Sequence, residues 1–403
     1  MSKSELIVGL DIGTTKICAV VGEPSENGGM DIVGIGTSPS TGLRKGVVVN
    51  IEQTVQSIKR ALEEAELMAG CEIRSVYAGI AGSHIKGFNS HGVIAVKGGE
   101  VSPRDIERAL DAAKAVAIPL DREVIHILPQ EYIVDDQRGI ADPMGMAGVR
   151  LEVKVHIVTG AVTSCHKSGL DVSDIVLESL ASAKAVLTEE EREIGVALID
   201  LGGGTCDIAI FANDSIKHTG VLALGGQNLT NDIAFGLRTP MAAAEKIKIK
   251  HGAAIAEMVR PDEYIEVPSV GGREPRRLSR QVLAEICEPR MEEILTLLDQ
   301  ELVRSGLKNM IGAGVVLTGG TALIQGCQEL GEQVFNLPTR IGYPRNVGGL
   351  KDMVNSPKFA TAMGLLRFGA EKEGMEQKFR IRSDGNVFNS ILSRMKKWFS
   401  EIS

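Results

Sequence analysis

The chain has 403 residues, enough for two or more domains. Its net charge of −8 argues against nucleic acid as the main partner, and an aromatic content of 3% leaves the core to Ile, Val, Leu, Ala and Met. Six cysteines (Cys18, Cys71, Cys165, Cys206, Cys287 and Cys327) lie far apart with no CxxC pair, so reduced cytosolic thiols and no thiolate metal site are expected.

The opening MSKSELIVGL reads as the lead into a first strand rather than a signal peptide. Leu6–Val21 (LIVGLDIGTTKICAVV) is an apolar strand, an Asp, a Gly–Thr turn and a second alternating strand. A Gly-rich turn between strands lets backbone N–H groups converge on a small anion, because no Cβ blocks the approach. Gly13, Thr14, Thr15 and Lys16 are the candidate cradle, and Asp11 can hold a divalent cation through water. Asp31–Pro39 and Gly46–Val49 read as further strands. Asn50 then caps a helix, with Gln53 as a capping-box variant and Gly70 as the stop. Its expected buried stripe is Ile51, Val55, Ile58, Leu62 and Ala65. Cys71–Ile80 returns as a strand. The next block has its own plan: strands near His84–Val96, Val124–Val134 and Leu151–Thr159, and a helix Pro103–Val116 behind the Ser102–Pro103 cap. It reads as an inserted α+β subdomain.

A short helix around Ser164–Gly169 precedes a second copy of the opening device. Gly195–Phe211 (GVALIDLGGGTCDIAIF) carries Asp200, then Gly202, Gly203, Gly204 and Thr205. A single copy reads equally well as an ordinary hairpin turn. Two copies, each opening its own half, point to a duplicated fold that clasps a nucleotide. Leu224–Asn228, with Gly226, opens a helical region, and Met241–Lys250 is a helix. On it Glu245 and Lys248 lie one turn apart, either reaching a base or ribose or forming an exposed charge pair. Tyr264–Arg277 is a polar, strand-like excursion. Pro289–Arg304 is a helix with Met291, Ile294, Leu295, Leu298 and Leu302 inward, ended by Gly306. Gly314–Ala322 (GVVLTGGTA) is a strand running into Gly319, Gly320 and Thr321 and then the start of a helix. Taken alone it reads as an ordinary βα turn, and it is also a turn on which a flat ring or ribose can lie close to the backbone. Neither GxxxxGK[ST] nor a helix-opening GxGxxG is present.

The last core helix is expected at Lys358–Gly369, followed by a flexible polar linker over Glu371–Gly385. The chain then ends in NVFNSILSRMKKWFSEIS. Val387, Phe388, Ile391, Leu392, Met395, Trp398, Phe399 and Ile402 share one helical face, with Arg394, Lys396 and Lys397 at its sides. Such a segment suits the headgroup region of an anionic membrane, where three cations give about 1 kcal/mol each and binding stays reversible. The alternatives are a helix docked on the chain's own core, which the preceding linker disfavours, and one held in a partner's groove. No window reaches the ~20 apolar residues needed to span a bilayer.

In the order turn, turn, then paired glycines opening a helix, these elements resemble the actin, sugar-kinase and heat-shock-chaperone ATPase superfamily. That resemblance implies ATP with its phosphates on Gly13–Lys16 and Gly202–Thr205, Mg²⁺ served by Asp11 and Asp200, and adenosine lined by Gly319–Ala322; Gly226, Glu245 and Lys248 join the ATP-binding candidates by their own placement. Read whole, the chain resembles the FtsA family of bacterial actin-like cell-division proteins. The carrying stretches are GLDIGTTKICAVVGE, HILPQEYIVDDQRGIADPMGMAGVRLE, DLGGGTCDIAIF, GGQNLTNDIA and GVVLTGGTALIQG.

The implied fold class is α/β: a duplicated actin-like, ribonuclease H-like ATPase core of two halves, with an inserted α+β subdomain and a C-terminal amphipathic helix. The implied division is 1–83 with 163–195 and about 353–370; the insert 84–162; 196–232 with about 303–352; the outer subdomain 233–302; a linker 371–386; and a membrane-binding helix 387–403. The implied function is that of an ATP-binding adaptor with at most slow turnover, polymerising on the cytoplasmic face of the inner membrane at midcell. It would anchor the FtsZ ring by holding the FtsZ C-terminal peptide near Arg290, Arg304 and Lys308, and recruit later division proteins. Gln130 and Glu131 are polar candidates for water activation, although they fall in the insert. The alternative is a metabolite kinase of the same superfamily, which leaves the Trp398-bearing tail without a role.

Overall fold

The structure, a computed structural model, describes residues 6–25, 28–116, 118, 122–160, 171–271 and 273–382. Strands β1 (Ile7–Ile12) and β2 (Lys16–Pro24) form the first hairpin, pairing antiparallel from Ile7 opposite Gly22 to Ile12 opposite Ile17. β3 (Met30–Pro39) continues the meander. The strand expected at Gly46–Val49 is only a two-residue rung, β5 (Val47–Val48), paired with β4 (Leu43–Arg44).

Helix α1 (Ile51–Ala69) starts and stops where expected: Asn50 Oδ1 accepts from the Gln53 amide at 3.1 Å, and Gly70 closes it at φ 65°. Its buried face differs from the expected stripe. Ile51 is exposed and Val55 half-buried, while Thr54, Ser57 and Ala61 join Ile58, Leu62 and Ala65 inside. The cause is close approach to β3: a Cβ on Gly36 would overlap the Ala61 carbonyl and stand 2.6 Å from the Ala65 amide. That contact requires small residues, and the buried hydroxyls are satisfied, Ser57 Oγ by Thr41 Oγ1 at 2.8 Å and Thr54 Oγ1 by the Asn50 carbonyl at 2.8 Å.

β6 (Ser75–Ile80) lies parallel to β1. The insert follows: β7 (Lys86–Ala95), α2 (Pro103–Lys114), β8 (Glu123–Val134), β9 (Gln137–Ile140) and β10 (Arg150–Gly160), in sheet order β7-β10-β8-β9. β9 is an addition to the expected plan. Ser102 and Asp105 form the capping box of α2, and a separate core of Val101, Ala109, Leu151, Val153 and Val155 fills the space under that helix. The helix expected around Ser164–Gly169 falls outside the described residues.

β11 (Asp171–Leu177) runs into α3 (Glu178–Val186), then α4 (Glu189–Ile194). β12 (Val196–Leu201) and β13 (Cys206–Ala212) form the second hairpin, and β14 (Ser215–Leu222) extends it. Next come α5 (Gly226–Gly236), α6 (Met241–His251), the hairpin β15 (Tyr264–Val267) and β16 (Arg276–Ser279), and α7 (Arg280–Arg304). α7 begins nine residues before the expected Pro289, with Ser279 Oγ accepting from the Gln281 amide at 3.2 Å. An interior proline costs about 3 kcal/mol. Here Leu283, Ala284 and Cys287 before it and Met291 and Ile294 after it are fully buried, and that packing outweighs the break. The chain closes with β17 (Val315–Thr318), α8 (Cys327–Phe335), β18 (Thr339–Ile341), β19 (Val347–Gly349), α9 (Lys351–Val354) and α10 (Ala360–Arg382). α10 replaces most of the expected linker, being helical through Arg382.

The two principal sheets are β11-β6-β1-β2-β3-β19 and β14-β13-β12-β17-β18. One core joins them: Ile7, Cys18 and Val20 from the first and Leu198, Ala209 and Val316 from the second share Ala181 and Val186 of α3 and Met363 and Leu366 of α10. Both hairpin turns therefore emerge at the same end of this sandwich.

The insert is tied to β14 through polar contacts. The fully buried His156 sits between Asn89 Oδ1 at 2.6 Å and Thr219 Oγ1 at 2.8 Å, and burial with the neighbouring His218 pushes it down to about 4, so it is neutral. Gln130 Nε2 donates to the Ile216 carbonyl at 2.8 Å. Thr219→Val should cost about 1–3 kcal/mol by stranding one imidazole nitrogen; denaturant unfolding checks this, and an unchanged midpoint would dismiss the junction as a stabilising contact.

Candidate nucleotide site

Each glycine turn grows out of an aspartate at a strand end, and the two turns touch. A Cβ on Gly203 would overlap Thr15 Cγ2 and stand 2.6 Å from its Oγ1, and a Cβ on Gly204 would lie 2.6 Å from Thr14 Oγ1. Thr14 is held in place by accepting from the Gly46 amide at 3.0 Å. The second turn is held from behind: the first amides of α5, on Gly226 and Gln227, donate to the Gly202 and Gly203 carbonyls at 3.0 and 2.8 Å. Thr321 Oγ1 donates to the same Gly202 carbonyl at 2.9 Å. Gly13 and Gly202 occupy matching places, each with the carbonyl three residues on (Lys16, Thr205) where a Cβ would point.

The third turn closes one wall. Gly319 sits at φ 87°, and a Cβ there would overlap Asp200 Oδ1 and stand 2.6 Å from the Leu201 carbonyl. Gly320 is open, with Lys358 Cβ at 3.8 Å as its nearest neighbour. The helix expected after Thr321 is a single 3₁₀ turn, Thr321–Leu323. Beside Gly226, the charge pair on α6 is split: Lys248 points inward, while the Glu245 side chain keeps 38% of its surface exposed. Lys248 is buried, and its Nζ donates to the Gly226 carbonyl at 3.0 Å, Thr230 Oγ1 at 2.9 Å and Glu245 Oε2 at 2.8 Å. Glu245 also accepts from the Thr230 hydroxyl. Lys16 turns away from the cradle instead: its Nζ donates to the Lys358 carbonyl at 2.7 Å and lies over the Phe359 ring.

At the floor, four carboxyls share one electrostatic neighbourhood: Asp11, Glu178, Asp200 and Asp207. Burial, opposed by Lys16 and reinforced by Asp200, lifts Asp11 to about 6. Burial also raises Asp200, against the pull of the Ser182 and Thr361 hydroxyls, and raises Glu178 well above the usual range, with the three aspartates adding to it. Asp207 stands directly across the ladder from Asp200, and its Oδ1 is buried with no partner while Oδ2 accepts from Thr205 Oγ1 at 3.1 Å. An unpaired buried carboxylate oxygen among raised carboxyls is chemistry that a hard, oxygen-seeking cation relieves. Among the described residues no three acidic, His or Cys side chains converge as a direct metal-ligand set.

Asp207 and Glu178 were not among the expected residues. The signal for Asp207 lies in the repeat: seven residues after each turn aspartate stand Cys18 in the first copy and Asp207 in the second. Glu178 comes from the strand-to-helix junction of β11 and α3, which has no turn signature. Gln130 and Glu131 belong to the insert, where Gln130 bonds β14 and Glu131 pairs with Lys154 at 2.6 Å.

The cations expected on the outer subdomain all have acidic partners. Arg290 binds Asp232 and Glu293, Arg304 binds Glu301 at 2.9 Å, and Lys308 binds Asp299 at 2.5 Å. The expected membrane residues Phe388, Ile391, Leu392, Arg394, Met395, Lys396, Lys397, Trp398 and Phe399 lie outside the described residues. Among those described, no helix is long and apolar enough to cross a membrane.

The family model for cell division protein FtsA matches residues 8–101 and 197–364, and the model for the SHS2 domain inserted in FtsA matches 82–159. A cell division protein FtsA of Pseudomonas aeruginosa is 52% identical over 99% of this chain and 98% of its own length. The chain belongs to the FtsA family of cell division proteins. FtsA proteins of Escherichia coli (42% identical, covering 98% of this chain and 97% of the relative) and Borreliella burgdorferi (43%, 98% and 98%) match equally completely. With FtsA relatives spanning the whole chain, the metabolite-kinase alternative is not favoured. The fold is actin-like. A PilM–PilN type IV pilus biogenesis complex aligns at TM-score 0.64 and 16% identity, covering 90% of this chain and 98% of that one. MreB5 of Spiroplasma citri bound to ADP aligns at TM-score 0.52 and 16% identity, covering 94% and 99%.

Proposed function

We propose that this FtsA-family chain binds ATP with Mg²⁺ between its two glycine turns and uses the bound nucleotide to hold both halves in a polymer-competent arrangement. The observation that carries this reading is the direct apposition of Gly203–Gly204 with Thr14–Thr15 above a floor of buried carboxyls. Phosphates would lie along Gly13–Thr15 and Gly202–Thr205, with adenosine against Gly319–Thr321, Gly226 and the Glu245–Lys248 pair. Structures of MreB5 with ADP and with AMPPNP support the same use of the fold. Asp11 and Asp200 would hold Mg²⁺ through water, and the cation supplies charge neutralisation to the phosphates. Turnover would be slow and would draw on Glu178 at the cleft rather than on Gln130 or Glu131. Calorimetric titration with ATP, with and without Mg²⁺, tests the reading; absence of saturable binding overturns it.

The cellular role follows from valence. One C-terminal segment with three cations binds an anionic surface weakly, whereas a filament of second copies presents many such segments, and avidity converts weak sites into firm attachment to the inner membrane at midcell. The FtsZ C-terminal peptide would dock on the outer subdomain near Arg290, Arg304 and Lys308. Arg304, 73% exposed, is the one whose pairing is easiest to exchange, since exposed ion pairs are worth about 0–1 kcal/mol. Later division proteins would engage the insert. Trp398→Glu should release the chain from anionic liposomes in flotation; unchanged flotation would refute the membrane role of the tail.

A further inference from the structure

Asp200 is held by two hydroxyls from elements outside its own sheet. Ser182 of α3 donates to Asp200 Oδ2 at 2.6 Å, Thr361 of α10 reaches the same oxygen at 3.3 Å, and the two hydroxyls are 3.0 Å apart. Ser182 is fully buried and Thr361 nearly so. They stand in the apolar core that joins the sheets, among Ala181, Ala183, Ala362 and Met363. Burying hydroxyls there costs free energy unless each is satisfied, and alanine or valine would serve packing alone. A carboxylate left to itself turns broadly about its last torsion. With both hydroxyls on Oδ2, that torsion is fixed, and Oδ1 is left against Gly319 on the wall of the cleft.

Thr361 also belongs to a run that gathers the other turns. The Pro357 carbonyl accepts from the Gly319 amide at 3.3 Å and from Thr318 Oγ1 at 3.4 Å, and the Lys358 carbonyl accepts from Lys16 of the first turn. The first and third glycine turns and the aspartate that precedes the second thus all meet residues 357–361, the 3₁₀ turn Pro357–Phe359 and the first residues of α10.

We propose that Ser182 and Thr361 are a positioning pair that orients the Asp200 carboxylate toward the water shell of nucleotide-bound Mg²⁺, so that α3 and α10 set how well the cleft receives the cation. The proposal rests on the ATP–Mg²⁺ reading above. Outer partners of this kind change metal affinity without touching the ion.

The test is calorimetric titration of the full chain with ATP, with and without Mg²⁺. Wild type should bind ATP more tightly with the cation. In Ser182→Ala/Thr361→Val that gain should shrink about tenfold while Mg²⁺-free affinity stays within about twofold, and Thr361→Ser, which keeps the hydroxyl, should retain the wild-type gain. Thermal melting verifies folding; if the double variant does not fold, Ser182→Ala alone is held to the same criteria. An undiminished gain overturns the proposal, as does an equal loss with and without Mg²⁺, which is what a packing role alone produces. Wild-type ATP binding indifferent to Mg²⁺ overturns the pair's role and leaves ATP binding standing. No ATP binding by wild type overturns the parent reading itself.

Discussion

Gly203→Val should abolish saturable ATP binding in calorimetry while leaving a folded chain. The smallest part of the new side chain, its Cβ, already overlaps Thr15 Cγ2 and comes within 2.6 Å of Thr15 Oγ1. Gly203 does not sit at a left-handed φ, so the penalty is spatial rather than conformational. Thr15 is part of the opposing turn, and room for two further methyls comes only from separating the hairpins that would share the phosphates. Overpacking usually costs about 1–3 kcal/mol, and at the rim of a cleft the separation relieves most of it, so binding suffers more than folding. Gly320→Ala is the informative contrast: its backbone is helical at φ −66° and ψ −31°, with open space around it. That variant should keep the wild-type melting temperature and lose affinity only to the extent that adenosine lies against Gly320. Undiminished ATP binding by Gly203→Val would remove the clasp from consideration.

Much of this geometry was written in local sequence. Alternating apolar residues around Asp11 and Asp200 fixed both hairpins, and Asn50 and Gly70 fixed the ends of α1, because capping and turn chemistry act within a few residues. What failed to show was set by contacts distant in sequence. The buried stripe of α1 rotated because Gly36 draws the helix onto β3. Pro289 reads as a helix start by local rules, yet apolar packing on both of its sides carries α7 through it. Lys16 sits in a phosphate-turn motif, but an acceptor 342 residues away, the Lys358 carbonyl, turns its ammonium aside. Glu245 and Lys248 look like an exposed i,i+3 pair, but Gly226 and Thr230 draw the Lys248 ammonium inward and leave Glu245 at the surface. Arg290, Arg304 and Lys308 look free in sequence, and each is matched by an acid in the folded chain.

The same distinction explains why Asp207 carries the second large expectation, which concerns pH. Like charges directly opposite on a ladder repel, and Asp207 faces Asp200 in that relation. Burial first, and Asp200 second, lift Asp207 from 3.8 to about 7, against the opposing hydrogen bond from Thr205. A folded-state value above the unfolded one means that the folded chain holds a proton which the unfolded chain releases. The contribution of Asp207 to stability in the absence of nucleotide should therefore fall as pH rises from about 4 to about 7, by at most about 4 kcal/mol. Asp207→Asn removes that loss, but its amide brings an NH₂ with two donors into a buried place where Oδ1 already has no partner, a cost of about 1–3 kcal/mol at every pH. Urea unfolding without nucleotide should find the variant more stable than wild type at pH 8 and less stable at pH 4, with the curves crossing between. A deficit of constant size across that range would show that the wild-type carboxyl is not strained by its neighbours. Adding ATP with Mg²⁺ at pH 8 should then stabilise wild type more than the variant, because a cation beside the floor repays the charge that the glycine clasp keeps buried.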